Sequence, residues 1–139
     1  MTVVSDSSPL VILTKLGCFD LLNRLFPHLY ISAEGHDEVV VAGAGLPGAS
    51  EVSKAEWIEV KALQNAAGLY SAQRKYGLGP GEMSSILLAK ELGANPVLLD
   101  DYRARKLASQ MHRVHVSSTK CVLKASPCLL SPESSRPVR

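Results

Sequence analysis

Four acidic stations carry the chemistry this chain can do. Asp6 follows Val-Val-Ser and precedes Ser-Ser-Pro. Glu38 stands in His-Asp-Glu-Val-Val, Glu82 closes Gly-Pro-Gly-Glu, and the pair Asp100-Asp101 ends Val-Leu-Leu. Carboxylates crowded together repel one another and are pushed toward their protonated forms. A divalent cation removes that conflict. Mg²⁺ favours oxygen ligands and keeps several waters, so a few carboxylates hold it without a closed cage. Such an ion orients a phosphate, stabilises developing charge and activates water, and two ions about 3.5–4 Å apart support both the attacking and the leaving oxygen. The expectation is that the fold gathers the four stations and that together they hold a divalent metal.

Each acid also has a purely structural reading. Asp6 can cap the turn before Pro9. Glu82 can be a favourable first-turn charge, and Glu38 a solvated helix residue. One of Asp100 and Asp101 can be a ligand while the other caps the next helix. Rival chemistries are weaker. His28, His36, His112 and His115 show no metal-ligand spacing, because the H-x-x-H at 112–115 runs from a helix end into a strand. Ser7 and Ser8 have no nearby His–Asp partners for a nucleophile. The Gly43–Gly48 loop lacks the lysine and spacing of a phosphate-binding P-loop.

The elements that must position these acids can be read from hydrophobic period and turn residues. Residues 2–5 predict a short buried strand ended by Asp6. Ser8 before Pro9 predicts a hydroxyl cap with proline at the first helical position. Leu10, Leu13 and Leu16 supply that helix's apolar face. Asp20–Phe26 is a second helix, Leu29–Ser32 a strand, and Ala33–Ala42 a helix weakened by Gly35 and a valine run. A short helix over Glu51–Ala55 leads to the strand Trp57–Val60, whose Trp57 suits a core or interface anchor better than a base-stacking platform. Ala62–Tyr76 is helical in character but interrupted by Gly68. The Gly-Pro-Gly turn opens a helix from Glu82, with Met83, Ile86 and Leu87 on one face, ended by Gly93. Val97–Leu99 is a buried strand and Tyr102–Met111 a basic amphipathic helix. Val114–Val116 is a last strand, and Ser118–Ala125 a last helix. From Ser126 the chain turns to Ser, Pro and Arg, giving a domain over 1–125 and an irregular tail over 126–139.

Strands alternating with helices imply a three-layer α/β domain with a mainly parallel central sheet. Ligands bind beyond the C-terminal strand ends in such sheets, and Asp6 and Asp100 both sit at such ends. The 139 residues suffice for one domain with a real core, and 46% hydrophobic with 20% charged residues is an ordinary globular balance. A net charge of +2 neither demands nor excludes a nucleic-acid partner. Arg103, Arg105 and Lys106 beside the acidic pair read either as a phosphate-attracting face or as a solvated helix face. Three cysteines without a C-x-x-C pair indicate neither a disulfide framework nor a zinc site, and so a cytoplasmic setting. No apolar run suggests a signal peptide or a membrane span.

Asp6-Ser-Ser-Pro-Leu, Glu38-Val-Val, Leu78-Gly-Pro-Gly-Glu82 and Leu98-Leu-Asp-Asp101-x-Arg-Ala-Arg together resemble the PIN-domain family, closest to its short prokaryotic VapC-type toxin branch. The resemblance spans roughly residues 1–125. It implies a Rossmann-like sheet that gathers acids around Mg²⁺ or Mn²⁺, and a metal-activated water that attacks an RNA phosphodiester. By position, Asp6 matches the acid after the first strand, Glu38 the helical acid, Glu82 the central acid and Asp100-Asp101 the last station. Asp100 is preferred over Asp101 as ligand because it is nearer the strand end. Ser8 matches a small polar residue that orients the first acid. Two departures stand out. Ser84 replaces a second acid common two residues after Gly-Glu, removing one metal or water contact. Ser117-Ser-Thr-Lys-Cys121 matches the usual Gly-Thr-Leu-Gly-like turn only loosely.

The resulting expectation is a metal-dependent endoribonuclease. Asp6, Glu82 and Asp100 hold metal, and Glu38 and Asp101 support metal or water. The resemblance also implies the toxin half of a toxin–antitoxin pair, with a small antitoxin protein as partner, and a homodimer. Ser84 and the altered C-terminus motivate the rival, a catalytically impaired PIN-like module that binds RNA or protein. A phospho-accepting receiver domain also clusters acids at strand ends and uses a late lysine such as Lys120. Its paired acids follow the first strand, whereas here they follow a late one.

Overall fold

The computed structural model describes residues 2–111 and 116–124. The chain runs β1 (Val4–Ser5), α1 (Ser7–Lys15), α2 (Phe19–Leu25), β2 (Leu29–Ser32) and α3 (Ala33–His36), which continues as a π-helical turn (Asp37–Val41). Then follow α4 (Ala49–Lys54), β3 (Ile58–Lys61), α5 (Ala67–Tyr76), α6 (Pro80–Leu92), β4 (Val97–Leu98), α7 (Tyr102–Met111), β5 (Val116–Ser117) and α8 (Thr119–Lys124). The five strands form one sheet in the order β3-β2-β1-β4-β5, and every pairing is parallel. The α/β architecture expected from the alternation is therefore present, with a wholly parallel sheet.

Strand side chains alternate between faces, and this divides the interior in two. Val4, Val97 and Leu99 join Met83, Ile86 and Leu88 of α6 and Ala104 and Ala108 of α7 in one core. Val3, Leu29, Ile31, Ile58 and Leu98 join Leu10 and Leu13 of α1, Val39, Val52 and Val122 in the other. Helices thus cover both faces, as a buried parallel sheet requires. Trp57 packs on Phe19 with ring centroids 5.3 Å apart, anchoring α2 to the start of β3.

The strand order fixes where a site can form. The connection leaving β1 covers the face of α1 and α2, and the one leaving β4 covers the opposite face with α7. Adjacent strands whose connections depart to opposite faces leave a crevice beyond their C-terminal ends. Asp6 follows β1 and Asp100 lies two residues past β4, so both border this crevice. The strands are tied there by the Asp6 amide, which donates to the Leu98 carbonyl at 3.0 Å.

Several local details differ from the sequence expectation. Helix α1 begins at Ser7 with Asp6 in the cap position, so Ser8 is not the cap and Pro9 is the third helical residue. Proline is still tolerated there because its absent N–H belongs to the unpaired first turn. Leu16 lies beyond the last turn of α1 and is 56% exposed, unlike the fully buried Leu10 and Leu13. Gly68 does not interrupt a helix; it lies in the first turn of α5, where its amide donates to Asn65 Oδ1 at 3.3 Å. The helix over 33–42 changes winding at Asp37, with the Ala42 amide donating five residues back to Asp37 at 2.8 Å. At Gly35 a Cβ would fit tightly, 3.1 Å from Ser32 Oγ and 3.2 Å from Ile31 Cγ1. Helix α6 starts at Pro80 behind a Gly79 cap, two residues before Glu82. The tail over 126–139 lies outside the described residues, as do His112 and His115.

Candidate active site

Asp6 is the most deeply placed acid, at 3% exposure. It occupies the cap position of α1, where its side chain makes no standard capping bond and engages the adjacent Ser7 amide instead. Burial raises its carboxyl pKa to about 7, offset in part by the Ser7 amide. The carboxylates of Glu38, Glu82 and Asp100 each add repulsion there. Glu82 is raised by burial and by Asp101, with which it also shares a hydrogen bond. The fold therefore brings all five acids into one neighbourhood.

Each of the surrounding acids is held by a particular donor. Glu38, in the π-helical turn, reaches across to α6, where its Oε1 accepts from the Gly81 amide at 3.1 Å. Its Oε2 accepts from Ser7 Oγ at 2.9 Å, and that hydroxyl lies 3.5 Å from Asp6 Oδ1. The hydroxyl beside the first acid is thus Ser7; Ser8, which the family pattern suggested, faces outward. Asp100 accepts twice from Thr119, from its amide and its hydroxyl, both at 2.6 Å. Asp101 Oδ2 accepts from the Ala104 amide at 3.0 Å and so caps α7. The division of labour between the two aspartates follows: Asp101 starts a helix, while Asp100 is fixed from β5–α8.

Thr119 belongs to the segment that matched the family turn only loosely, and its part in the site could not be read from sequence. Thr119→Val keeps the amide bond and removes the hydroxyl bond to a carboxylate. It should cost about 1.5–3 kcal/mol in a urea titration, as expected for a hydrogen bond to a charged group. An unchanged midpoint would show that the hydroxyl does not fix Asp100.

Ser84 has a different place from the one the sequence suggested. It is fully buried, and its hydroxyl lies 2.7 Å from Ser32 Oγ and 3.0 Å from the Gly81 carbonyl. Ser32 Oγ in turn accepts from the Gly35 amide at 3.0 Å. These hydroxyls couple the starts of the two helices that carry Glu38 and Glu82. Position 84 therefore serves a helix–helix seam in this chain.

Glu34 stands in the first turn of α3. Its Oε1 is buried without a hydrogen-bond partner among the described residues. With Asp37, Glu38, Val41, Ala42 and Pro80 it lines a cleft of about 410 Å³ beside the acids. His28 lies 3.3 Å from Glu59 and His36 4.0 Å from Asp37.

The donor chemistry suits a hard divalent cation. All candidate ligands are oxygens, Asp6 is buried, and no Lys or Arg forms an ion pair with the five acids among the described residues. As they stand, no three His, Cys, Asp or Glu side chains among the described residues are arranged to hold an ion. The carboxylates of Glu38, Asp100 and Asp101 are engaged by protein donors instead.

An acid-lined crevice at the C-terminal strand ends of a parallel α/β sheet is the arrangement expected of the PIN-domain family, and the comparisons with known proteins agree at the level of family. Residues 2–125 match the family model DUF3368, described as a PIN domain, and the chain belongs to that family. A PilT N-terminus domain protein, SSO1118, from the hyperthermophilic archaeon Sulfolobus solfataricus P2 has a similar structure. Its TM-score is 0.61 at 18% identity, over 91% of this chain and 93% of that one. PAE2754 from Pyrobaculum aerophilum is similar too, with a TM-score of 0.59 at 14% identity, over 89% and 88%. At such identities the likeness concerns the fold. No curated protein matches the sequence. Among the described residues, no helix is long and apolar enough to cross a membrane.

Proposed function

We propose that this chain is a metal-dependent endoribonuclease that hydrolyses RNA phosphodiester bonds. The observation that supports this best is Asp6, buried at the topological switch point, with Glu38, Glu82 and Asp100 adding repulsion and no basic side chain paired to it among the described residues. Asp6, Glu82 and Asp100 would hold Mg²⁺ or Mn²⁺. The bound ion supplies a Lewis acid for the phosphate and lowers the pKa of a coordinated water. Ser7 positions Glu38 beside Asp6, Thr119 orients Asp100, and Asp101 keeps α7 in register behind Glu82. In the same reading the chain works in the cytoplasm as the toxin of a toxin–antitoxin pair, as a homodimer restrained by a small antitoxin protein.

The test is cleavage of a labelled RNA by purified protein with Mn²⁺, with EDTA, and with Asp6→Asn. Cleavage is expected with Mn²⁺ alone. Full activity in EDTA or in the variant would sink the metal mechanism. One observation favours the second reading, an impaired RNA- or protein-binding module: the carboxylates of Glu38, Asp100 and Asp101 are already engaged by protein donors. A Mn²⁺ titration by calorimetry separates the two, because the binding module takes up no metal.

A further inference from the structure

Helix α7 leaves the acidic pair carrying three cations, and they do not act alike. Arg103 turns away; its Nη2 donates to the Tyr76 and Gly77 carbonyls at 3.3 and 3.4 Å and braces α7 against the loop before α6. Arg105 turns toward the acids, with Nη1 donating to the Asp100 carbonyl at 2.9 Å. Its guanidinium also lies 6.0 Å from the centre of the Tyr102 ring. Lys106 is exposed and forms no ion pair among the described residues. Tyr102, Arg105, Lys106, Ser109, Gln110 and Val116 line a cleft of about 430 Å³ between α7 and the edge strand β5. These lining residues include two cations and no acid.

Tyr102 is the unusual member. It follows Asp101 directly and is 67% exposed, a large aromatic left in water at the rim of an acidic crevice. An aromatic face beside a guanidinium and an ammonium is what an unpaired base and its phosphate require. Base–aromatic stacking tolerates any sequence, and the cations track the backbone. Duplexes do not offer such a face, because their bases are stacked on one another.

We infer that the α7–β5 cleft is a substrate subsite for single-stranded RNA, in which Tyr102 stacks a nucleobase next to the scissile position and Lys106 and Arg105 bind the adjoining phosphate. The inference rests on the ribonuclease reading for the identity of the strand. Its geometry links the two sites: Arg105 is bonded to the backbone of Asp100, and Tyr102 adjoins Asp101.

Binding of an end-labelled, mixed-sequence single-stranded RNA is measured by fluorescence anisotropy in EDTA, where metal-dependent cleavage is silent. Tyr102→Ala should weaken binding by about tenfold or more, and Tyr102→Phe should bind as the wild type does. Tyr70→Ala is the matched control, since Tyr70 is 68% exposed on α5 and has Arg74 at 5.8 Å, yet lies outside the cleft. It should change nothing. Lys106→Ala should flatten the salt dependence of binding by about 0.7 in log–log slope, the loss of one phosphate contact to a single strand. Tyr102→Ala no weaker than Tyr70→Ala, duplex RNA bound as tightly as single strand, or no RNA binding at all would each overturn the subsite. The two readings fail separately. Mn²⁺-dependent cleavage with unchanged kcat/KM in Tyr102→Ala removes the subsite and leaves the nuclease. Tyr102-dependent binding without cleavage in Mn²⁺ removes the nuclease and leaves the subsite.

Discussion

Asp6→Asn is expected to abolish RNA cleavage and, in the same protein, to raise stability at neutral pH. The activity loss should be at least about a hundredfold, the scale of losing one preorganised electrostatic group. The gain in stability has a separate cause. The folded protein holds the Asp6 carboxyl at about 7 against an ordinary value of 3.8, chiefly by burial. A carboxyl whose folded value lies above its unfolded one contributes stability that is full below about pH 4 and lost as pH rises through 7. At pH 8 without metal the burial cost is at most about 4 kcal/mol. Asparagine carries no charge but leaves amide hydrogens to satisfy, so a net gain of about 1–3 kcal/mol is expected. Thermal melts in EDTA from pH 4 to 8 test this. The wild type should lose stability across that window, and the variant should lose less, the remainder coming from Glu82, which is raised in the same direction. Parallel pH profiles for the two proteins would contradict the buried, unbalanced carboxyl.

Gly81→Ala is expected to cost activity with little cost in stability. A Cβ at position 81 would fall 2.3 Å from Glu38 Oε2 and 2.5 Å from Oε1, so the carboxylate must leave its seat on the Gly81 amide. Because the colliding group is the end of a flexible side chain, the backbone need not move. Alanine inside a helix is favoured over glycine by about 1 kcal/mol, which offsets the lost hydrogen bond. The fold should therefore stay within about 1 kcal/mol of wild type in a urea titration, while cleavage falls about 10- to 100-fold, the usual loss when a supporting residue around a metal site is displaced. A double-mutant cycle identifies the route: with Glu38→Ala already present, adding Gly81→Ala should change nothing further. Additive losses, or full activity in the single variant, would show that the glycine acts otherwise.

Much of the scaffold was legible because its signals are local. Apolar periodicity marks α1, α6 and the short buried strands. Gly79-Pro80 and Gly93 mark the two ends of α6, and Pro27 the end of α2. Errors fell where tertiary contact overrides local rule. The π-helical turn at Asp37–Val41 has no propensity signature. Gly35 reads as a helix breaker, yet it lies within the first turn of α3, seated tightly against Ile31 and Ser32. Ser8 before Pro9 has the pattern of a cap, whereas α1 starts one residue earlier, at Ser7, with Asp6 in the cap position.

The sequence by itself determined which acids exist, that Asp6, Glu82 and Asp100 stand near element boundaries, and that the sheet is mainly parallel, since these follow from composition, period and the alternation of strands with helices. Only the tertiary structure decided what the acids do to one another. Asp6 and Asp100 meet because β1 and β4 are neighbours in a sheet whose order follows from crossover packing, not from any local residue pattern. Asp101 was assigned to the helix and Asp100 to Thr119 by hydrogen bonds, one of which spans nineteen residues. Glu38 was seated by the space that Gly81 leaves empty, and Ser84 was turned into a seam between helices by Ser32. Charge and period are written along the chain. Proximity is a property of the packed whole, and the burial that holds Asp6 near pH 7 arises only when both cores close over the same sheet.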